Sequence, residues 1–233
     1  YDNDGSPLGG VNQDAVGMVD GADGFDGVDD YVDCGSDPSL DITEEITVEA
    51  WGYASSDVNG RMVSKHGPGP SGNYGWCLFR IMDDDNAEFS LSTDGSNWLG
   101  GTSSSGVFPT NTWVHVVGTY DGSMMRLFVD GVEDTGGDLP VSVSGSINVA
   151  PCSTQIARDE NSGSTFCDGF LDEVRISDVA RNSSWVKASY YTQYDSSSFI
   201  AVGDEEVGEP PVSPVVSAPM PGDGASNVPI TLS

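Results

Sequence analysis

From Gly24 onward the chain alternates short hydrophobic runs with clusters of Gly, Asp, Asn and Pro. Runs of this length, rich in β-branched and aromatic residues and closed by turn formers, predict strands. They fall near residues 24–34, 46–53, 61–65, 74–81, 87–92, 112–120, 124–130, 153–158 and 165–176. Between them stand turn signals such as Asp57-Val58-Asn59-Gly60, Asp94-Gly95, Asp121-Gly122 and Asp130-Gly131, whose last residues tolerate the positive φ that hairpin turns need. Several runs are hydrophobic on both sides, as in Trp113-Val114-His115-Val116-Val117. That pattern fits inner strands of two stacked sheets better than a one-sided surface hairpin. A single helical pattern follows, from Ser183 to Gln193, with Asn182 or Ser183 as its cap and Trp185, Ala188 and Tyr191/Thr192 on one face. The expected fold is therefore all-β: a two-sheet antiparallel β-sandwich with one short C-terminal helix.

Residues 1–20 are polar and Gly-rich with weak periodicity, and a last strand-like piece spans 199–203. The acidic, Pro-rich stretch that follows cannot build a core and reads as a semi-rigid linker over 208–218. Residues 219–233 read as the opening of a further, truncated Ig-like β domain, so the main domain is placed at 1–207. With 30 glycines and 13 prolines, many short strands joined by turns are expected. No apolar run is long enough to span a membrane as a helix.

Charge narrows the partners. A formal net charge of -29 repels phosphate backbones and anionic lipid heads, which disfavours nucleic acid and acidic membranes and attracts divalent cations. An Asp-rich, Lys-poor surface suits a halophilic setting, where salt screens the self-repulsion, and it suits an ordinary acidic secreted protein equally. Among the four cysteines, Cys152 and Cys167 flank an expected hairpin from Thr154 to Thr165. If its strands pair about a turn near Asp159-Glu160, a disulfide joins them in an oxidising compartment. Cys34 and Cys77 lie inside strand-like runs and read as small buried hydrophobes, their connectivity open.

Four blocks agree in order and spacing: Phe25-Asp-Gly-Val-Asp-Asp-Tyr-Val32, Ile46-Thr-Val-Glu-Ala-Trp51, Trp113-Val-His-Val-Val-Gly-Thr-Tyr-Asp-Gly122 with Leu127-Phe-Val-Asp-Gly131, and Gly169-Phe-Leu-Asp-Glu-Val-Arg-Ile176. Together they resemble the laminin-G-like jelly-roll domains of the concanavalin A-like lectin/glucanase superfamily, in the form found on prokaryotic surface proteins. The resemblance covers about residues 20–207 and implies an extracellular or cell-surface module. An earlier strand usual in that family is not evident. Either residues 1–20 supply a degenerate version, or it is missing and an edge is left open to another chain.

The resemblance also implies a structural Ca²⁺ where the Phe-Asp-Gly strand meets the Leu-Asp-Glu-Val strand. That nominates Asp26 and Asp172 as ligands, with Asp23 and Asp29 in reserve, the alternative being carboxylates that simply cap turns. Related laminarinases carry Glu-x-Asp-x-x-Glu on one strand. The nearest string here, Asp83-Asp84-Asp85-Asn86-Ala87-Glu88, has turn chemistry in its middle, where two carboxylates cannot keep a fixed separation. With two histidines, no Gly-x-Ser-x-Gly elbow and no phosphate-binding glycine loop, the chain is expected to be non-catalytic. For glycan contact the exposed aromatics expected are Trp98, then Tyr74 and Trp76, whereas Trp51, Trp113 and Trp185 are assigned to packing. Asn182-Ser183-Ser184 is an N-glycosylation sequon. Two classes remain: a binding or adhesion module for a glycan or surface protein, joined to neighbouring domains of the same polypeptide, and a structural subunit that assembles with its own copies. A glycoside hydrolase is the reading least supported.

Overall fold

The computed structural model describes residues 3–69, 72–81, 84–160 and 165–195; the expected strand at 199–203, the linker at 208–218 and the segment 219–233 lie outside them. Among the described residues fifteen strands and one α-helix follow one another. The first four are β1 (Ser6–Leu8), β2 (Asn12–Val16), β3 (Gly21–Asp26) and β4 (Tyr31–Asp33). Then come β5 (Ile46–Ala54), β6 (Gly60–His66), β7 (Tyr74–Ile81), β8 (Asn86–Leu91), β9 (Leu99–Thr102), β10 (Trp113–Tyr120) and β11 (Met124–Val129). The last described elements are β12 (Val132–Glu133), β13 (Val141–Ser142), β14 (Gln155–Ile156), β15 (Asp168–Ser177) and α1 (Ser183–Tyr194).

The strands form two antiparallel sheets. One has seven strands in the order β1-β4-β14-β6-β7-β8-β9. The other has eight, ordered β12-β11-β10-β5-β15-β3-β2, with β13 also pairing β11. Alternation along each strand sends Trp76, Leu78, Phe89 and Leu91 from the first sheet against Val48, Ala50, Val116 and Leu127 from the second, all buried. No helix among the described residues is long and apolar enough to cross a membrane.

Two expectations change here. Residues 1–20 do supply edge pairing: β1 lies on β4, and β2 lies on β3. The two-sided hydrophobicity of β5, β10 and β11 also has a different cause from stacking alone. Their inner side faces the other sheet, and their outer side is roofed by α1. Val186 of the helix packs on Val117 and Phe128. Trp51 stacks on Tyr190 at 5.5 Å and donates its indole N–H to Gln193. Thus Trp51 is buried beneath the helix rather than between the sheets, while Trp113 and Trp185 are only half-buried. Asn182 caps α1 as expected, its Oδ1 accepting from Trp185 N at 3.0 Å.

Candidate ligand and metal sites

The aromatic candidates separate cleanly. Trp76 is 1% exposed and belongs to the inter-sheet core, so the structure removes it from any ligand surface. The reason is parity: Trp76 shares the inward side of β7 with Leu78, two residues on. Tyr74 and Trp98, both half-buried, come together at one end of the seven-stranded sheet. Their rings stack at 4.9 Å with an interplanar angle of 13°. His66, the last residue of β6, meets both edge-on at 4.8 and 5.0 Å. The strand predicted at 61–65 stops one residue short of this histidine, which ends β6.

The shelf is held by its own turn. Asp94 accepts from the backbone N–H groups of Ser96 and Asn97 at 2.8 Å and from the Asn97 side chain at 2.7 Å. These hydrogen bonds, the Asn97 amide first, hold its carboxyl well below the usual carboxylate range. Gly95 C=O accepts from Tyr74 N, and the Asn148 amide donates to Tyr74 O at 2.8 Å. Beneath the stack His66 is 4% exposed, and its Nδ1 lies 3.6 Å from Asp159. Asp159, fully buried, is paired with Arg61 at 2.7 Å, and Arg61 lies over the Phe79 ring at 3.9 Å. The arrangement presents flat apolar faces backed by a charged, hydrogen-bonding base.

The carboxylates nominated for calcium are brought together differently from the expectation. Asp26 stands opposite Asp168 and Asp23 opposite Leu171, so Asp26 and Asp172 are not neighbours across β3 and β15. Three residues along a strand separate Asp23 from Asp26, roughly 10 Å. Asp172 instead adjoins the reserve residue Asp23. Its Oδ2 accepts from Met18 N and Val19 N at 2.8 and 2.9 Å. With Gln13 and Glu173 the two acids line a cleft of about 350 Å³. Burial first, and then the charge of Asp172, raises the Asp23 carboxyl above its ordinary range. Two acids on the lining of one cleft offer oxygen donors of the kind a hard divalent cation takes. Asp26 falls in a separate group with Asp29 and Asp30, whose oxygens lie within 4.8 Å of one another. There Asp26 Oδ1 accepts from Val28 N at 2.8 Å, and Asp30 Oδ2 accepts from Asp26 N at 3.0 Å, so these carboxylates brace their own turn.

In the string that resembles a laminarinase motif, Asp85 and Glu88 point to different sides. Asp83 lies outside the described residues. Asp85, in the turn, pairs with Arg80, which shares the inward side of β7 with Trp76 and Leu78. Glu88 alternates with buried Ala87 and Phe89, so it points to the other face, where Ser90 donates to it. Burial raises its carboxyl above the ordinary range.

The expected disulfide between Cys152 and Cys167 is not formed; both are free. Among the described residues the hairpin it depended on is not formed, because β14 and β15 belong to different sheets. Cys152 lies against Gly67 and Cys167 against Gly60, at opposite ends of β6, roughly 20 Å apart along the strand. No disulfide spans that distance.

Two antiparallel sheets with an inter-sheet core, an aromatic rim and acidic clefts define a lectin-type jelly roll. The chain belongs to the concanavalin A-like lectin/glucanases superfamily, whose Laminin_G_3 family matches residues 26–187. No curated protein matches it in sequence. Among solved structures it is similar to the binding domain of Paraclostridial Mosquitocidal Protein 1, with a TM-score of 0.65 and 13% identity, over 83% of this chain and 48% of that one. It is similar to Domain 4 of AbnA, a GH43 extracellular arabinanase from Geobacillus stearothermophilus solved in complex with arabinotriose. There the TM-score is 0.55 and the identity 20%, over 77% of this chain and 81% of that one. The receptor binding domain of the botulinum neurotoxin C/D mosaic serotype gives a TM-score of 0.60 at 16% identity, over 82% and 47%. This chain spans about half the length of the toxin domains. At these identities the likeness is one of fold.

Proposed function

We propose that the chain is a non-catalytic glycan-binding module of an extracellular, multi-domain polypeptide, and that the Tyr74–Trp98 stack is where the sugar lies. The stack carries the proposal: it is the point where half-buried aromatic faces meet a polar, hydrogen-bonding turn, the chemistry that packs against a sugar ring and reads its hydroxyls. Supporting it, the structurally similar AbnA domain was solved in complex with arabinotriose, and cell entry of botulinum neurotoxin type C, another structural neighbour, is dependent upon interaction with two ganglioside molecules. The divided acidic string favours binding over hydrolysis, since a glycosidase needs two carboxyls facing each other across one bond. Replacing Trp98 with Ala is expected to weaken whichever glycan a binding array identifies by about 2 kcal/mol, roughly thirtyfold. Titration calorimetry on the array's best ligand reads this directly, and an affinity equal to wild type would rule the stack out.

A calcium ion held by Asp172 and Asp23 belongs to the same proposal. It would supply positive charge to two carboxylates on the lining of one cleft, and so tie β15 to β3 and to the loop at Met18 and Val19. A cation bound to the folded form alone, at a hundred times its Kd, adds about 2.7 kcal/mol, which for a domain of this size raises Tm by roughly 5–10 °C. Thermal melts with calcium and with chelator should differ by that amount, and the double substitution Asp23→Asn/Asp172→Asn should abolish the difference. Identical melts for wild type, with metal removal verified by elemental analysis, would exclude a structural calcium.

A further inference from the structure

The end of the seven-stranded sheet that carries the stack also opens into a second cavity, of about 550 Å³, whose walls include Asp41, Lys65, Ala150, Cys152, Ser153 and Glu160. The two features are adjacent in the fold. Ala150 meets Gly75, which lies between Tyr74 and Trp76, and Cys152 meets Gly67, directly after His66. Lys65 precedes His66 in β6, and Asp159, which faces His66, precedes Glu160.

Lys65 is one of two lysines in the chain, and its side chain is 2% exposed. Its Nζ lies 2.8 Å from Asp41 Oδ1, an ion pair without hydrogen-bond alignment, so among the described residues the ammonium has no well-directed acceptor. Glu160 Oε2 is likewise shielded from solvent and, among the described residues, accepts from nothing. Buried polar atoms of this kind are unfavourable unless a partner completes them. An ammonium supplies only donors and a carboxylate only acceptors, and a hydroxyl is the simplest group that satisfies both at once. The neighbouring Cys152 thiol, pushed up to about 11 chiefly by burial, stays neutral and offers no nucleophile. A ligand carboxylate would face Asp41 and Glu160 in a chain of net charge -29, which like-charge repulsion opposes.

We propose that this cavity is a hydroxyl-recognition subsite for a neutral sugar: Lys65 donates to and Glu160 accepts from a vicinal diol, while an adjacent unit of the same glycan lies on the Tyr74–Trp98 stack. The assignment rests on the glycan-binding reading and narrows it to uncharged sugars. The test is calorimetric titration of the full chain with neutral xylo-, arabino- and galacto-oligosaccharides, with oligogalacturonate as the anionic probe. At least one neutral series is expected to bind, oligogalacturonate at least about tenfold more weakly. Lys65→Met and Glu160→Met should each weaken the neutral ligand by about tenfold or more, the scale of a hydrogen bond to a charged group. Glu160 is partly exposed, so its variant remains informative if the buried Lys65→Met fails to fold. Wild-type affinity in Glu160→Met, or equal binding of oligogalacturonate, overturns the subsite. If Trp98→Ala still abolishes binding in that case, the stack stands alone as the site. Binding of no probe at all overturns both readings.

Discussion

Replacing Arg80 with Met is expected to destabilise the protein by about 3 kcal/mol or more, and the reason separates strong from weak interactions in one side chain. Arg80 is 3% exposed and reaches four acceptors. Nε donates to Phe108 O at 3.0 Å and Nη1 to Val58 O at 2.9 Å. Nη2 pairs with Asp57 at 3.1 Å and also with Asp85. The two carboxylate side chains are 69% and 39% exposed, so water replaces the lost partner and each pair contributes at most about 1 kcal/mol. The carbonyls decide the outcome, that of Phe108 in a buried hydrogen bond first and the partly buried one of Val58 second. A buried acceptor left without a donor costs about 1–3 kcal/mol, and methionine supplies none. Urea unfolding should therefore show a lowered midpoint for Arg80→Met at unchanged slope, while Asp57→Ala shifts it by less than about 1 kcal/mol. Equal losses for the two variants would mean that the ion pairs, and not the carbonyl contacts, hold the loops around Val58 and Phe108. The same result bears on function, because it makes Asp85 a partner of a structural arginine rather than half of a catalytic pair.

A loss of about 3 kcal/mol is also expected for Gly118→Ala, from the opposite cause, too much volume rather than too little bonding. Gly118 lies mid-strand in β10 between Val48 of β5 and Leu127 of β11. A Cβ there would sit 2.3 Å from Phe89 Cγ and 2.4 Å from Cδ2. Phe89, from the other sheet, is fully buried among core residues, so its ring cannot swing clear. Backbone strain plays no part, since Gly118 is absent from the glycines of positive φ. Shrinking the ring should therefore rescue the variant. Gly118→Ala/Phe89→Leu is expected to be more stable than the sum of the two single changes by about 1 kcal/mol or more, within the range found for contacting residues. Strict additivity in denaturant titrations would show that the clash is relieved elsewhere.

Much of this architecture was legible in the order of residues, because its causes are local. Asp130-Gly131 and Asp121-Gly122 carry turn chemistry, and Ile46–Ala54 carries strand chemistry, whatever surrounds them. The predicted helix from Ser183 to Gln193 differs from α1 by one residue, since Asn182 caps it by a contact three residues away. Weak periodicity hid β1 and β2: they are short edge strands with mostly exposed residues, so little burial imprints a pattern on them. The candidate site was legible only in part. Trp98 and Tyr74 were named for exposure, which the turn at Asp94-Gly95 signals locally. Their stacking depends on β7 and β9 lying on either side of β8 in one sheet.

What the sequence by itself determined was the two-layer antiparallel sandwich, the positions of its longer strands, the helix Ser183–Tyr194 to within one residue and the strongly acidic charge. Each follows from periodicity, turn residues and charge, which act over a few positions or sum over the whole chain. Only the tertiary structure decided which carboxylates meet, which aromatics stay at the surface and which cysteines lie apart. Asp172 lines one cleft with Asp23, while Asp26 stands opposite Asp168, because cross-strand register chooses neighbours. Trp76 turns inward because a side chain's face alternates with every residue. Cys152 and Cys167 part because the chain between β14 and β15 crosses from one sheet to the other. Register, face and crossover are set by pairing between segments far apart in the chain, and no local pattern encodes the partner.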